Sequence, residues 1–204
     1  MAQRMLSLVR STVAGLPPMT RADAVRVQGV GALVLDVREP AAFAAGHLPG
    51  SVNIAADDDV CFCVLRDALL PSGVDVVVAG PAGIAARAAE LLADHAPVVG
   101  HVADPGRGAV SRRVAGVERA VARQVLDVRS EGPVVDGAVR IPVADVLGRL
   151  AELRPDVATA VLDTDGRASS AVASLLRACG FGDVSEIVEV AVVPRPRLRL
   201  LASA

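Results

Sequence analysis

The sequence contains no lysine, no tryptophan and no tyrosine, and aromatic residues make up only 1% of its 204 residues. Apolar residues are nevertheless 52% of the chain, so a core has to be built from valine, leucine, isoleucine and alanine. This composition favours an α/β fold, because strands that are buried on both faces are rich in aliphatic side chains. We interpret the all-arginine basic set as a coding bias without functional meaning.

Other absences exclude whole classes of protein. No apolar run reaches the ~18 residues that a membrane span requires, and the N-terminal stretch lacks the apolar segment of a secretory signal. A net charge of −2 disfavours nucleic acid as a partner. Three cysteines, Cys61, Cys63 and Cys179, cannot form a disulfide framework. We therefore expect a cytoplasmic protein that binds neither nucleic acid nor membranes.

A short motif occurs twice in the chain. The stretch LVLDVREP at Leu33–Pro40 recurs as QVLDVRSE at Gln124–Glu131. In each copy an apolar strand pattern ends in Asp-x-Arg, which we interpret as a structural ion pair at the end of the strand. The two pairs are Asp36 with Arg38 and Asp127 with Arg129.

A second pattern also occurs twice, as VDVVVAGPAG at Val74–Gly83 and TAVLDTDG at Thr159–Gly166. In both, an apolar strand leads into a glycine-containing loop and an alanine- and leucine-rich helix. Such self-similarity indicates duplicated domains. We predict a small helical extension over residues 1–16, a first domain over 17–106 and a second domain over 107–204.

Strands and helices alternate within each predicted domain, which predicts mostly parallel sheets covered by helices on both faces. The expected strands are Leu33–Val37, Val52–Ile54, Val74–Ala79, Pro97–Val102, Val125–Val128, Ala138–Ile141, Ala160–Leu162 and Val184–Val190. The expected helices are Thr20–Gln28, a short helix from Glu39, Ala82–His95, Ala144–Leu153 and Ser169–Cys179. The acidic stretch Ala56–Asp59 is expected to be a solvated loop.

The stretch LDVREPAAFAAGHLPGSVNIA at Leu35–Ala55 resembles the signature of the rhodanese superfamily. That signature places Asp-x-Arg after a strand, an aromatic residue on a short helix, and then Gly-His-aliphatic-x-Gly-Ser-x-Asn. The second half keeps Asp-x-Arg without the Gly-His turn, and its segment Asp163–Phe181 resembles the active loop Cys-x-x-Gly-x-Arg-Ser and the helix after it. We interpret His47 of the Gly-His turn as a structural residue whose ring is satisfied by the backbone.

The resemblance implies two rhodanese-like α/β domains. More narrowly, the pair resembles the tandem rhodanese region of metallo-β-lactamase–rhodanese fusion proteins. The zinc-binding motif of the other domain of those proteins is absent, and the chain has only three histidines. The implied partners are a small sulfur-containing anion or a protein of sulfur metabolism, and no cofactor or metal is implied.

Rhodanese chemistry carries sulfur as a cysteine persulfide, held by the N–H groups of the loop at a helix N-terminus. When the loops are aligned on their glycines, the nucleophile position is Asp163 in the second half and Gly80 in the first. The loop arginine is replaced by Ala168 and Ala85. Since neither loop has a thiol, we expect a binding or regulatory module that lacks the usual sulfur transfer.

The predicted anion cradle of the second half comprises Asp163, Thr164, Asp165, Gly166, Arg167, Ala168 and Ser169. We expect the Asp163 carboxylate to accept the N–H groups of this loop, which would keep it ionised and deter an anionic donor such as thiosulfate. The aspartate is thus interpreted as the residue that closes the site.

Two enzymatic alternatives stay open. One is a sulfurtransferase that uses a non-standard cysteine, although we expect Cys61 and Cys63 to be packing residues and Cys179 to be buried along the apolar pattern of its helix. The other is a magnesium-dependent phosphatase. The DTDG sequence mimics the Asp-x-Asp-Gly loop of haloacid-dehalogenase-type phosphatases, in which the first aspartate attacks phosphorus.

Overall fold

The computed structural model describes residues 15–115 and 122–189. Within these ranges the strands form two sheets, one of four and one of five strands, and all strand pairs are parallel. The predicted helical extension over 1–16 lies almost wholly outside the described residues, and Val190, the expected end of the last strand, also lies outside them. No helix in the described ranges is long and apolar enough to cross a membrane.

The strands are β1 (Leu33–Asp36), β2 (Val52–Asn53), β3 (Val76–Ala79), β4 (Val98–Val102), β5 (Arg112–Ala115), β6 (Gln124–Asp127), β7 (Ala138–Arg140), β8 (Thr159–Leu162) and β9 (Val184–Glu189). The helices are α1 (Arg21–Gln28), α2 (Pro40–Ala45), α3 (Asp59–Leu69), α4 (Ala82–Leu92), α5 (Val146–Arg149) and α6 (Arg167–Ala178). Two 3-10 turns, Val143–Asp145 and Leu150–Glu152, flank α5.

The two sheets share one strand order. The first sheet runs β2-β1-β3-β4, and the second runs β7-β6-β8-β9 followed by β5 at its edge. In the first sheet Pro18 makes a parallel bridge to His101 of β4, at the place that β5 takes beside β9. The protein is therefore α/β with parallel sheets flanked by helices, as the sequence predicts.

A single apolar core joins the two sheets. Phe62 and Leu65 of α3 lie in the same buried cluster as Val172 and Leu176 of α6. These four side chains are almost completely excluded from water, and α6 also packs against β2 of the first sheet. Each half therefore covers apolar surface of the other.

A buried hydrogen-bond network adds to this contact. The Asn53 side chain of β2 donates to the carbonyl oxygens of Asp36 and Arg38 at 2.9 and 2.8 Å, and its Oδ1 accepts from Ser170 Oγ at 2.7 Å. The Asn53 N–H donates to Ser174 Oγ at 2.9 Å. The side-chain amide of Asn53 is thus fully engaged, which is the condition under which a buried amide is tolerated.

The helix α3 was not predicted, and the interpretation of Ala56–Asp59 as a solvated loop is wrong at its C-terminal end. Asp58 is the N-cap of α3, and its Oδ1 accepts the N–H of Cys61 at 2.9 Å. Side chains on one face of the helix, Phe62, Leu65 and Leu69, are buried. The acidic run therefore begins a core helix, because aspartates stabilise the N-terminal turn.

Other differences concern the second half and the element ends. The expected helix Ala144–Leu153 is divided into the 3-10, α and 3-10 turns given above, and the edge strand β5 was not predicted. The helix expected over Ala82–His95 ends at Leu92, while α6 begins two residues before the predicted Ser169. The α/β alternation itself is confirmed.

Candidate functional site

The loop after β8 carries the residues predicted to form an anion cradle. β8 is buried along its whole length in the middle of the second sheet, and Asp163 to Gly166 connect it to α6. Gly166 is the N-cap residue with φ 88°, a left-handed conformation that glycine adopts at little cost. This turn directs the first N–H groups of α6 back towards the end of β8.

The Asp163 carboxylate occupies these N–H groups. Its Oδ2 accepts the Ala168 N–H at 2.9 Å, and the Thr164 N–H also hydrogen bonds to it. Burial raises the pKa of this carboxyl group and the nearby Asp165 raises it further, whereas the two N–H groups lower it. The net shift is upward, because the two N–H groups replace less hydration than burial removes. The expectation that Asp163 accepts N–H groups of this loop agrees with the hydrogen bond from Ala168.

The charged residues of this loop hydrogen bond within the loop or form ion pairs with the first half of the chain. The Asp165 carboxylate accepts the Arg167 N–H at 2.9 Å. The Arg167 guanidinium forms an ion pair with Asp57 and lies 3.7 Å from Glu39 Oε1. Hydrogen bonding to Arg167 lowers the pKa of Asp57, and a hydrogen bond to Asp57 raises the pKa of Glu39. Arg167 therefore links the halves instead of facing the predicted cradle.

Ser169 does not line the cavity beside this loop. It is buried, and its Oγ has no hydrogen-bond partner within the described ranges. Of the predicted cradle residues, three line the same cavity, namely Asp163, Thr164 and Ala168. The residues predicted to form an anion cradle therefore do not all border one site, and these three form part of the wall of a cavity.

This cavity has a volume of about 440 Å³ and lies at the carboxyl ends of β6 and β8. Its apolar side includes Val128, Val143 and Val64, the last of which comes from α3 in the first half. Its charged side chains are Arg129, Glu131 and Asp163. With two carboxyl groups in its lining, the cavity favours a neutral or cationic ligand over an anion.

Arg129 does not offset this acidic character. Its Nε and Nη2 bond to the two oxygens of the buried Asp127 at 2.8 and 2.9 Å, and Nη2 also reaches the Pro133 carbonyl at 3.0 Å. Arg140 of β7 donates to one of these oxygens, Asp127 Oδ2, through Nη2 at 2.7 Å and Nε at 3.1 Å. Burial raises the pKa of Asp127, but the hydrogen bonds from the two arginines outweigh burial and lower the pKa overall.

The first half repeats the Asp-x-Arg arrangement. Arg38 Nε and Nη2 bond to the buried Asp36 at 2.9 and 2.6 Å, and Nη2 donates to the Gly46 carbonyl at 2.8 Å. His47 stacks on Phe43 with ring centroids 3.8 Å apart, and its Nδ1 lies 2.9 Å from the Phe43 carbonyl oxygen. Burial lowers the pKa of His47.

The loop after β3 has a glycine at the nucleophile position and is crowded there. The Gly80 N–H donates to the Val102 carbonyl at 2.9 Å, and the Gly80 carbonyl lies 2.8 Å from His101 Nε2. Gly80 has φ 147°, and a Cβ there would lie 3.1 Å from Val37 Cγ2 and 3.3 Å from Arg38 Cγ. Gly83, expected in the loop, lies within α4. A thiol side chain at position 80 would therefore strain both backbone and packing.

Residues 21–103, which contain β1 to β4 and the Asp-x-Arg and Gly-His features, match the family model described as Rhodanese-like domain. This part of the chain is a rhodanese-like domain. The match ends in β4 and its following turn, before β5 begins. A comparison with curated protein sequences gives no match.

The solved structures that are similar to the chain include two sulfurtransferases. A thiosulfate sulfurtransferase from Pseudomonas aeruginosa is 16% identical with a TM-score of 0.37, over 88% of this chain and 44% of the other. A probable thiosulfate sulfurtransferase is 20% identical with a TM-score of 0.32, over 78% of this chain and 92% of the other. The chain thus spans less than half of the length of the Pseudomonas protein.

The three cysteines lie outside both loops. Cys61 and Cys63 are half-buried on α3 and pack against the shared core, whereas Cys179 is exposed after the end of α6. The expectation of a buried Cys179 is therefore wrong, because α6 ends at Ala178 and the apolar face does not continue past it. Burial raises the pKa of the Cys61 thiol, which the carboxylates of Asp165, Asp58 and Asp163 also raise and Arg167 lowers.

The sequence analysis missed the part of α3 that borders the second loop. Val64 lines the cavity, and Cys61 is close enough to Arg167 and Asp163 for these charges to act on its pKa. The signal was present in the N-capping Asp58 and in the spacing of the buried residues after it. In the described ranges no three His, Cys, Asp or Glu residues are grouped so that they could hold a metal, and the phosphatase alternative stays a prediction.

Proposed function

We propose that the chain is a cytoplasmic tandem rhodanese-like protein of sulfur metabolism that acts as a non-catalytic binding or regulatory module. The rhodanese-like domain over residues 21–103 relates it to the sulfurtransferases. The second sheet has the same strand order, which supports its interpretation as a second domain of this kind.

One observation carries the proposal. At the nucleophile position of the second loop, Asp163 Oδ2 takes the Ala168 N–H at 2.9 Å, which is the type of donor that a persulfide anion needs. A carboxylate cannot accept a sulfane sulfur and release it again by thiol chemistry. In the first loop, the nucleophile position is a glycine, and a side chain there would crowd Val37.

The test introduces the cysteine and the arginine that the loop after β8 lacks. We expect wild-type protein to give no thiocyanate from thiosulfate and cyanide and no persulfide that cyanide can release. The double variant Asp163→Cys with Ala168→Arg should form a persulfide. Its thiolate attacks the outer sulfur of thiosulfate, the new S–S bond forms, and sulfite leaves; cyanide then takes that sulfur as thiocyanate and regenerates the thiolate.

The matched control is Asp163→Ser with Ala168→Arg, which has the same loop without a thiol. It should stay inactive. Sulfur transfer by the wild-type protein would overturn the non-catalytic proposal, and a thiol variant that takes up no sulfur while remaining folded would overturn the assignment of position 163.

A second candidate function is a sulfurtransferase that uses Cys61. The observation that favours it is the position of Cys61 on α3, where Arg167 and Asp163 of the second loop act on its thiol. Burial and the carboxylates disfavour the thiolate, so such an activity should be slow and should rise towards alkaline pH. Wild-type turnover that is abolished by Cys61→Ser, and retained in Cys63→Ser and Cys179→Ser, would establish it.

A further inference from the structure

A pocket of about 560 Å³ lies beside the first sheet and contains no residue of the loop after β8. Its lining comes from the start of α1, from Arg38 after β1, from α2 and the glycine that follows it, and from the turn after β4. The charged side chains of this lining are Arg21, Arg38, Arg107 and Asp104. We call it the arginine pocket. It opens near the carboxyl ends of β1 and β4, where open α/β sheets commonly bind ligands.

The hydrogen-bonding capacity of these arginines is only partly used. Arg21 donates to the Asp104 carbonyl at 3.0 Å through Nε and to the Asp104 carboxylate at 2.7 Å through Nη2. Arg38 uses Nε and Nη2 on Asp36 and the Gly46 carbonyl. In both residues Nη1 makes no hydrogen bond within the described ranges, and the exposed Arg107 guanidinium makes none there at all.

Two glycines allow the arginines to pack this closely. A Cβ on Gly106 would lie 2.4 Å from the Arg21 guanidinium carbon, and one on Gly46 would lie 2.8 Å from the Cα and Cγ of Arg107. Gly106 also has φ 73°, and its N–H fixes Asp104 Oδ1 at 2.9 Å. Any other residue at these two positions would displace an arginine from the lining.

We propose that the arginine pocket binds a small divalent oxyanion of the phosphate or thiosulfate type. Three arginines and one aspartate line the pocket, while Asp36, to which Arg38 is bonded, is completely buried. Because Asp104 and Asp36 compensate two of the three positive charges, one charge and a set of free N–H donors are left for the ligand. Guanidinium groups match the geometry of oxyanions through paired N–H donors. This inference does not depend on the proposed function, since it uses no residue of either loop that follows β3 or β8.

The test is a titration of the full chain, in a non-coordinating buffer at constant ionic strength, with inorganic phosphate and, separately, with thiosulfate. Binding is followed by calorimetry and by the backbone amide signals of Gly46 and Gly106. We expect a saturable single site at these glycines. Arg107→Gln should weaken binding by about tenfold or more, the usual loss for a charged hydrogen bond.

The matched control is Arg123→Gln, which removes an exposed arginine whose side chain makes no hydrogen bond or ion pair in the described ranges. It should change the affinity by less than about twofold. Saturable binding of either anion supports the pocket, and the preferred anion identifies the chemical source of the ligand. The inference is overturned if neither anion saturates, if both variants weaken binding equally, or if the shifts centre on Gly166 and Ala168.

Discussion

At the scale of single residues, two opposing effects act on the pKa of Asp163. The Ala168 N–H, 2.9 Å from its Oδ2, and the Thr164 N–H stabilise the carboxylate, whereas burial and the neighbouring Asp165 favour the protonated acid. Burial is the larger of these, so the pKa of Asp163 is raised. The carboxylate form of Asp163 is therefore less well stabilised in the folded protein than in the unfolded chain, where water solvates it.

The raised pKa of Asp163 predicts how the stability of the variant Asp163→Asn depends on pH. A raised pKa means that the bound proton stabilises the fold at acid pH and that this stability is lost as pH rises through the folded-state pKa. Asparagine keeps an oxygen for the Ala168 N–H without ionising. We expect the free energy of unfolding of the variant to exceed that of the wild type at neutral pH, and the gain to shrink as pH falls towards the ordinary aspartate value.

The measurement is urea unfolding followed by far-ultraviolet circular dichroism between about pH 4 and neutrality. Asp94→Asn changes an exposed aspartate and controls for the loss of a charge as such. A gain that grows on the acid side would contradict the direction assigned to Asp163.

At the scale of elements, the frame β8-loop-α6 could be predicted because an apolar run, a glycine and a long amphipathic pattern follow one another. The helix α3 was missed although Asp58 and the spacing of the apolar residues after it indicate a helix, because the acidic run before it resembles a solvated loop. What the sequence could not show is that α3 borders the second loop. That contact depends on the packing of the two halves, which no local pattern encodes.

The Asp-x-Arg pairs and the arginine pocket show the same difference between local and long-range contacts. The ion pairs lie two residues apart in the chain, so their partners are visible in the sequence. Arg21 meets Asp104 across more than eighty positions, and only the folded chain brings them together with Arg107.

Helix α6 carries a matched pair of serines for a test of its contact with β2. Ser170 Oγ donates to Asn53 Oδ1 at 2.7 Å, whereas the buried Ser169 Oγ has no partner in the described part of the chain. Ser170→Ala leaves the Asn53 oxygen buried and without this donor, which should cost about 1–3 kcal/mol of unfolding free energy. Ser169→Ala removes an unsatisfied hydroxyl and should cost nothing or stabilise the protein.

Both variants are to be measured by urea unfolding under identical conditions. Equal destabilisation by the two substitutions would mean that loss of volume, and not the Asn53 hydrogen bond, determines the effect. That result would contradict the stabilising role assigned to Asn53 in the contact between the halves.

At the scale of the whole molecule, the two sheets are not independent bodies that happen to be joined. The cluster that contains Phe62 of α3 also contains Leu176 of α6, so that separating the sheets would expose core side chains of both. The ion pair between Arg167 and Asp57 crosses the same boundary at a partly exposed position, where it adds little by comparison. The contact between the halves is therefore chiefly apolar, with the Asn53 network at its centre.

A shared core predicts cooperative unfolding of the two halves. Hydrogen exchange at amides of the central strands, Val77 of β3 and Val161 of β8, should report opening free energies that agree within about 1 kcal/mol. Ser170→Ala should lower both values together, since it weakens the contact on which each half depends. Ser169→Ala, the control, should lower neither value. If Ser170→Ala lowered the value at Val161 and left that at Val77 intact, the sheets would unfold separately and the shared core would not couple them.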